Sequence, residues 1–274
     1  GRLRCHYCGY ETPMSLRCPD CGSSTLVPLG LGTERLEDAL AQAFAPAKIA
    51  RLDRDTAAGG RALESVLDRV RRGEIDVLVG TQMVTKGHDI PGVTLVGVVL
   101  ADQSLAFPDF RASERTFQLL SQVAGRAGRG DRPGHVIFQT FQPKHFAILA
   151  AERHDYEGFY QGELAERRGL AYAPFGRLVA VRVDAPDERR GREAIDALAE
   201  RAREQLAVRT REVEVLGPAP APIKRLRARF RFRMLLRGAD RRALRRVARA
   251  VAARIDEGFS NARASVDVDP VSML

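Results

Sequence analysis

No run of 18 apolar residues occurs anywhere in the 274-residue chain, so no helix of the sequence is expected to span a membrane. Tryptophan is absent and aromatic side chains make up only 6%, yet hydrophobic residues reach 45%, enough for true cores, which excludes global disorder. The opening residues Gly1-Arg2-Leu3-Arg4-Cys5 contain neither an apolar h-region nor an initiator Met. The expectation is therefore a piece of a longer chain with no secretory signal, cytoplasmic in location. No Gly-x-x-x-x-Gly-Lys-Ser/Thr phosphate loop is present, and no acidic metal-holding motif closes an identifiable early strand. Cysteine is missing from every position after Cys21. The length suits two domains, or one with appendages.

Charge is unevenly distributed along the chain. The chain has 44 Lys+Arg against 35 Asp+Glu, a net charge of +9. Residues 1–176 balance to zero, whereas residues 177–274 hold 23 basic and 14 acidic side chains and so carry the whole excess. A high arginine content alone can reflect a GC-rich genome, but it does not explain that asymmetry. A polyanion such as nucleic acid is the natural partner for the last third.

All four cysteines lie in two Cys-x-x-Cys-Gly turns, Cys5/Cys8 and Cys18/Cys21. Thiolates three residues apart can hold one metal ion at about 2.3 Å, and the following glycine permits the left-handed backbone that turns amides toward the sulfurs. This spacing predicts zinc, in a structural role, in a reducing compartment. A redox dithiol or a disulfide pair would need a different setting, since no thioredoxin-like strand–helix context surrounds either pair. His6 is read as a spectator.

Apolar strands then alternate with helical patterns. Ile49–Leu52, Ile75–Val79, Leu95–Leu100 and His135–Phe141 read as strands, and 59–72 as a helix with Leu63, Val66, Leu67 and Val70 at helical spacing. The order predicts an α/β fold with a parallel sheet covered on both faces and ligands at the strands' carboxyl ends. Gly80-Thr81-Gln82-Met83-Val84-Thr85-Lys86-Gly87-His88-Asp89-Ile90 follows one strand directly. In Gln122-Val123-Ala124-Gly125-Arg126-Ala127-Gly128-Arg129-Gly130, a helix would put Arg126 and Arg129 on one face, with Gln122 one turn earlier. Two planar guanidiniums make a fork for phosphoryl oxygens.

These residues resemble a known family. Gln-x-x-Gly-Arg-x-x-Arg is similar to motif VI of superfamily 2 helicases, and Gly80–Ile90 to motif V. With the cysteine turns, Gly32-Thr33-Glu34, Asp53-Arg54-Asp55-Thr56 and Val266–Pro270, the chain from residue 2 to about 271 resembles the C-terminal portion of the primosomal replication-restart DNA helicases. That resemblance implies a partial zinc region (1–27), a second RecA-like lobe (28–150), a helical connector (151–176), and a basic α+β domain (177–274) similar to a small-subunit ribosomal protein. It also implies ATP-dependent 3′–5′ translocation, with Arg126 and Arg129 reaching the γ-phosphate and Gln122 ordering nucleotide or water. Gly87, Asp89 and Gly125 would lie near the nucleotide, and Thr81 and Lys86 near DNA phosphates. ATP and Mg would bind mainly through a first lobe upstream, so this chain alone is expected not to hydrolyse ATP. Family members carry eight cysteines and two zinc ions in this region, with the two pairs present here belonging to different centres. One rearranged site using all four thiolates is the local alternative. Implied partners are forked or single-stranded DNA, single-stranded DNA-binding protein and other primosome proteins. Two other readings stay open: a non-catalytic zinc-containing DNA-binding scaffold with a vestigial helicase lobe, and a zinc-ribbon helicase of another superfamily 2 branch.

The last third reads as strand 178–184, helix 187–208, strand 213–216, strand 226–236, helix 240–257 and strand 264–269, a βα-ββ-αβ order with helices on one face of the sheet. Within it, Leu226, Ala228, Phe230, Phe232 and Met234 alternate with Arg227, Arg229, Arg231 and Arg233. Period two puts the four arginines on one face about 6.8 Å apart, near the spacing of phosphates on an extended strand. Such a row repels itself unless a polyanion or nearby carboxylates meet it. It is therefore a candidate DNA contact, or a site for an acidic protein tail. Residues 224–249 hold twelve basic residues and one acid, Asp240, and Arg242, Arg245, Arg246 and Arg249 share a helical stripe.

Overall fold

A computed structural model describes residues 2–4, 11–13, 15, 17, 21–24, 32–53, 60–81, 90, 92–128, 133–207 and 213–273. The chain divides into two compact units: one comprises 1–15, 105–113 and 160–274, the other 16–104 and 114–159. In the first, strands β1 (Arg2–Arg4) and β2 (Glu11–Pro13) pair antiparallel.

The second unit holds the alternating segment. In chain order come α1 (Thr33–Ala43), β3 (Ile49–Leu52), α2 (Gly60–Arg71), β4 (Val77–Gly80) and β5 (Leu95–Val98). Then follow α3 (Ala112–Ala124), β6 (His135–Phe138), α4 (Phe146–Glu152) and the start of α5 (Tyr156–Gly169). The strands pair in parallel, β3 with β4 and β5 with β6, as the apolar runs predict for an α/β fold. Leu52, Leu67, Ile75 and Val79 are buried around the first pair. Amphipathic α2 turns Leu67 inward because its apolar residues recur every three or four positions. Coverage on both faces does not extend to the second pair, where Leu95 and Ile137 are each 60% exposed. A continuous apolar run identifies a strand without saying which elements cover it, and among the described residues Leu95 and Ile137 stay exposed. Phe117 and Phe159 stack at 4.1 Å between ring centroids, and Phe146 lies 5.8 Å from Phe159. Of the aromatic residues on α5, Phe159 is buried while Tyr156 and Tyr160 are exposed.

The C-terminal domain is a four-stranded antiparallel sheet in the order β10-β7-β9-β8. Its strands are β7 (Arg177–Ala185), β8 (Val213–Leu226), β9 (Arg229–Gly238) and β10 (Arg263–Val268). Helices α6 (Glu188–Ala207) and α7 (Arg241–Asp256) complete the predicted βα-ββ-αβ order. One core joins strand residues Val179, Val181, Val183, Phe232, Met234 and Leu236 to helix residues Ile195, Leu198, Leu244, Val247 and Val251. Alternate strand residues and residues three or four apart on each helix meet there, which is why both periods were visible in the sequence.

Two features differ from the expectation. Strand β8 continues through Pro218, Pro220 and Pro222 to Leu226 instead of stopping at Leu216. It is an edge strand, where a residue without an N–H can sit with its vacant side away from the ladder. The strand expected over 226–236 is also cut by a hairpin turn. Arg227 and Ala228 take φ of +48° and +62°, and Leu226 pairs with Arg229 across the turn.

Candidate functional site

Of the residues expected near nucleotide or DNA in the motor lobe, Thr81, Gln122, Gly125 and Arg126 are described, all in the second unit. Thr81 is exposed immediately after the carboxyl end of β4. Helix α3 ends at Ala124, not beyond Arg129 as a continuous helix would require. Glycines 125 and 128 disfavour continuation, and Gly128 adopts φ +75°, a left-handed backbone suited to a turn. Gln122 is exposed on the last helical turn. The Gly125 amide donates to the Ser121 carbonyl at 3.1 Å and the Arg126 amide to the Val123 carbonyl at 3.0 Å, which leaves Arg126 half-buried on the turn. The Gly128 amide donates to the Val93 carbonyl at 3.1 Å, tying this turn to the segment before β5. Lys86, Gly87, His88, Asp89 and Arg129 lie outside the described residues.

Sequence reasoning missed two supports of this region. Gly134 packs so closely behind the turn that a Cβ there would lie 2.2 Å from the Gly128 nitrogen and 2.4 Å from the Ala127 carbonyl carbon. Any side chain at 134 must push the Arg126 turn aside. At the carboxyl end of β3, buried Asp53 accepts a hydrogen bond from the Thr33 hydroxyl at 2.7 Å, and Arg51 lies 3.5 Å from Asp53 and 3.4 Å from Glu37. Both Thr33 and Asp53 belong to quoted motifs, but nothing in their spacing announces that they touch.

Of the cysteines, Cys21 is an exposed free thiol, and Gly22 beside it has φ +71°. Cys5, His6, Cys8 and Cys18 lie outside the described residues, and among the described residues no group of three or more His, Cys, Asp or Glu could hold a metal.

The arginine row of β9 is folded into its own domain. Phe232, Met234 and Leu236 face the core, as alternation requires. Arg227 leaves the row at the hairpin turn. Arg229 donates to the Asp184 carbonyl at 2.7 Å and the Asn261 carbonyl at 3.1 Å. Arg231 meets the Asp184 carboxylate at 3.2 Å on the neighbouring strand. Arg233 donates to the Met273 carbonyl at 2.6 Å, and burial lowers its pKa, with Asp109 acting in the opposite direction. Asp109 in turn accepts from the Met273 amide at 3.1 Å. The repulsion expected of the row is relieved by one carboxylate and several carbonyl oxygens of the chain itself.

A parallel α/β unit carries this arginine turn, and a basic α+β domain follows it in the chain. Consistent with this, the model of the helicase conserved C-terminal domain matches residues 31–131, and that of the primosomal protein N C-terminal domain matches residues 168–271. Replication restart protein PriA of Bacillus subtilis (strain 168) is 43% identical over 226 residues, covering 82% of this chain and 28% of that protein. PriA of Synechocystis sp. is 47% identical over 224 residues, covering 82% and 27%, and PriA of Treponema pallidum (strain Nichols) 39% over 276 residues, covering 100% and 41%. The chain belongs to the PriA family and corresponds to its C-terminal portion. It spans only about a quarter to two fifths of the length of these relatives.

Proposed function

We propose that this chain supplies the second motor lobe and the basic C-terminal domain of an ATP-dependent DNA helicase that restarts replication at stalled forks, moving 3′ to 5′. The observation that carries the reading is Arg126, half-buried on the glycine turn after α3 beside exposed Gln122, inside the segment matched by the helicase C-terminal model. In the assembled motor, Arg126 and Arg129 stabilise charge developing on the γ-phosphate, and Gln122 orients nucleotide or attacking water. Gly125, Gly87 and Asp89 border the nucleotide, while Thr81 and Lys86 track the DNA backbone. Single-stranded DNA-binding protein and other primosome proteins are the protein partners of this reading. In this reading the C-terminal domain is similar to a small-subunit ribosomal protein, and its four-stranded sheet with two helices supports that.

The phosphate loop and the acidic metal-holding motif are not in these 274 residues. Purified chain is therefore expected to show no DNA-stimulated ATP hydrolysis above background, whereas a longer protein placing a first RecA-like lobe before it hydrolyses ATP when DNA is added. Strong DNA-stimulated turnover by the chain alone would contradict the two-lobe reading.

Zinc, where bound, would be held by Cys5, Cys8, Cys18 and Cys21, in a structural role, since four thiolates leave no open position. The exposed Cys21 thiol and the left-handed Gly22 fit such a turn. Elemental analysis of the purified chain is expected to find one zinc per molecule, lost in Cys21→Ser. Zinc-free protein would assign the two pairs to separate centres that need ligands from outside this chain.

A further inference from the structure

The sequence pattern directs attention to the arginines of β9, but the structure engages three of them internally. The outer face of α7 is different. Arg242, Arg245, Arg246 and Arg249 are all exposed and together line a shallow surface depression. None of the four has a hydrogen-bond or ion-pair partner among the described residues. Two nearby acids are committed elsewhere: Asp240 caps the helix by accepting from the Ala243 amide at 2.5 Å, and Glu257 pairs with Arg254 at 3.3 Å, while Asp256 lies at the far end of the helix, seven residues beyond Arg249. Cations of α6 and of β8 are balanced by contrast, as in Arg189–Glu193, Arg201–Glu204 and Lys224–Glu188.

Like charges three and four residues apart destabilise a helix, and cations in its first turn oppose its dipole. Helix α7 keeps both unfavourable features because its opposite face is anchored through Leu244, Val247 and Val251. We propose that this guanidinium stripe is a docking surface for the phosphodiester backbone of DNA. From Arg242 to Arg249 is about 10.5 Å along the helix, roughly the axial rise of three nucleotides on one strand. Lined only by arginines, the depression offers no apolar anchor for a peptide, and no Asn or Gln with which to read bases. It suits sequence-independent contact that positions the domain on DNA. The surface goes beyond the motor reading, because its occupancy needs no nucleotide.

The test is equilibrium binding of a fluorescein-labelled 20-base-pair duplex to the 274-residue chain over a range of salt, without ATP. Arg245→Ala with Arg249→Ala should lower the log–log salt slope by about 1.8, two released counterions' worth, and weaken binding by at least about tenfold at 0.1 M salt. Arg245→Lys with Arg249→Lys should keep the slope, since release follows charge. Circular dichroism should show the Ala variant melting no lower than the parent. An unchanged slope in a folded Ala variant overturns the proposal. So does a variant that loses binding of an oligo-glutamate peptide while its DNA affinity stands, which would make the stripe a protein-tail site. Neither outcome bears on ATP hydrolysis, so this proposal and the motor reading fail separately.

Discussion

Arg126→Ala, placed in a longer protein in which a nucleotide-binding lobe precedes this chain, is expected to cut DNA-stimulated ATP hydrolysis by about 10³–10⁵-fold, the range attributed to arginine fingers. The loss should fall on kcat, with KM for ATP little changed, because the guanidinium is asked to meet charge that develops only in the transition state. Arg126→Lys should not restore the rate, since an ammonium is a point charge without the planar fork. Stability should barely move: the side chain is half-buried on a turn, and such substitutions away from cores usually change stability by less than about 0.5 kcal/mol. Gly134→Ala supplies a second arm without removing any charge. Its methyl cannot occupy the 2.2 Å gap to the Gly128 nitrogen, so the turn must shift, and hydrolysis should fall although Arg126 is intact. Steady-state ATPase assays on forked DNA read both variants. Undiminished turnover by Arg126→Ala would remove it from the nucleotide site.

How much of this was readable in advance depends on the range of the interaction. The C-terminal domain's element order was legible because Val179, Val181 and Val183 repeat every second residue, and Leu244, Val247 and Val251 every third or fourth. The end of α3 was legible in principle from Gly125 and Gly128, but the spacing of Gln122, Arg126 and Arg129, four residues and then three, suggested a continuous helix face. The hairpin after Leu226 was not, because Arg227-Ala228 carries neither Gly nor Asn and the alternation runs straight through it. The fate of the β9 arginines was hidden for another reason. Their acceptors are mostly main-chain carbonyls, of Asp184, Asn261 and Met273, and a carbonyl leaves no mark in composition. The α7 stripe stayed unpaired because its neighbours Ala243, Leu244, Val247 and Ala248 point inward, leaving only arginines outside.

The largest stability effect is expected at Phe232. Its ring is 1% exposed, and Gly191 of α6 approaches so closely that a Cβ there would lie 2.6 Å from Phe232 Cε2. The Arg192 guanidinium lies 5.1 Å from the ring centroid. Phe232→Ala removes the ring from a close-packed site and should destabilise the domain by about 3–5 kcal/mol, a large share of the roughly 5–15 kcal/mol that folded domains possess. Gly191→Ala overpacks the same contact and should cost about 1–3 kcal/mol by itself. Combined, the two should be less harmful than their sum, because the added methyl occupies part of the space the ring vacates, with a coupling of about 0.5–3 kcal/mol. Urea unfolding of the four proteins, followed by circular dichroism, measures the cycle. Strict additivity would mean that ring and glycine do not touch, and the packing of β9 against α6 would have to be redrawn. The same cycle separates folding from binding, since Phe232 lies in the core and the α7 arginines lie outside it. Urea midpoints should therefore fall in the Phe232 variants and hold in those of Arg245 and Arg249, while the DNA salt slope behaves in the opposite way.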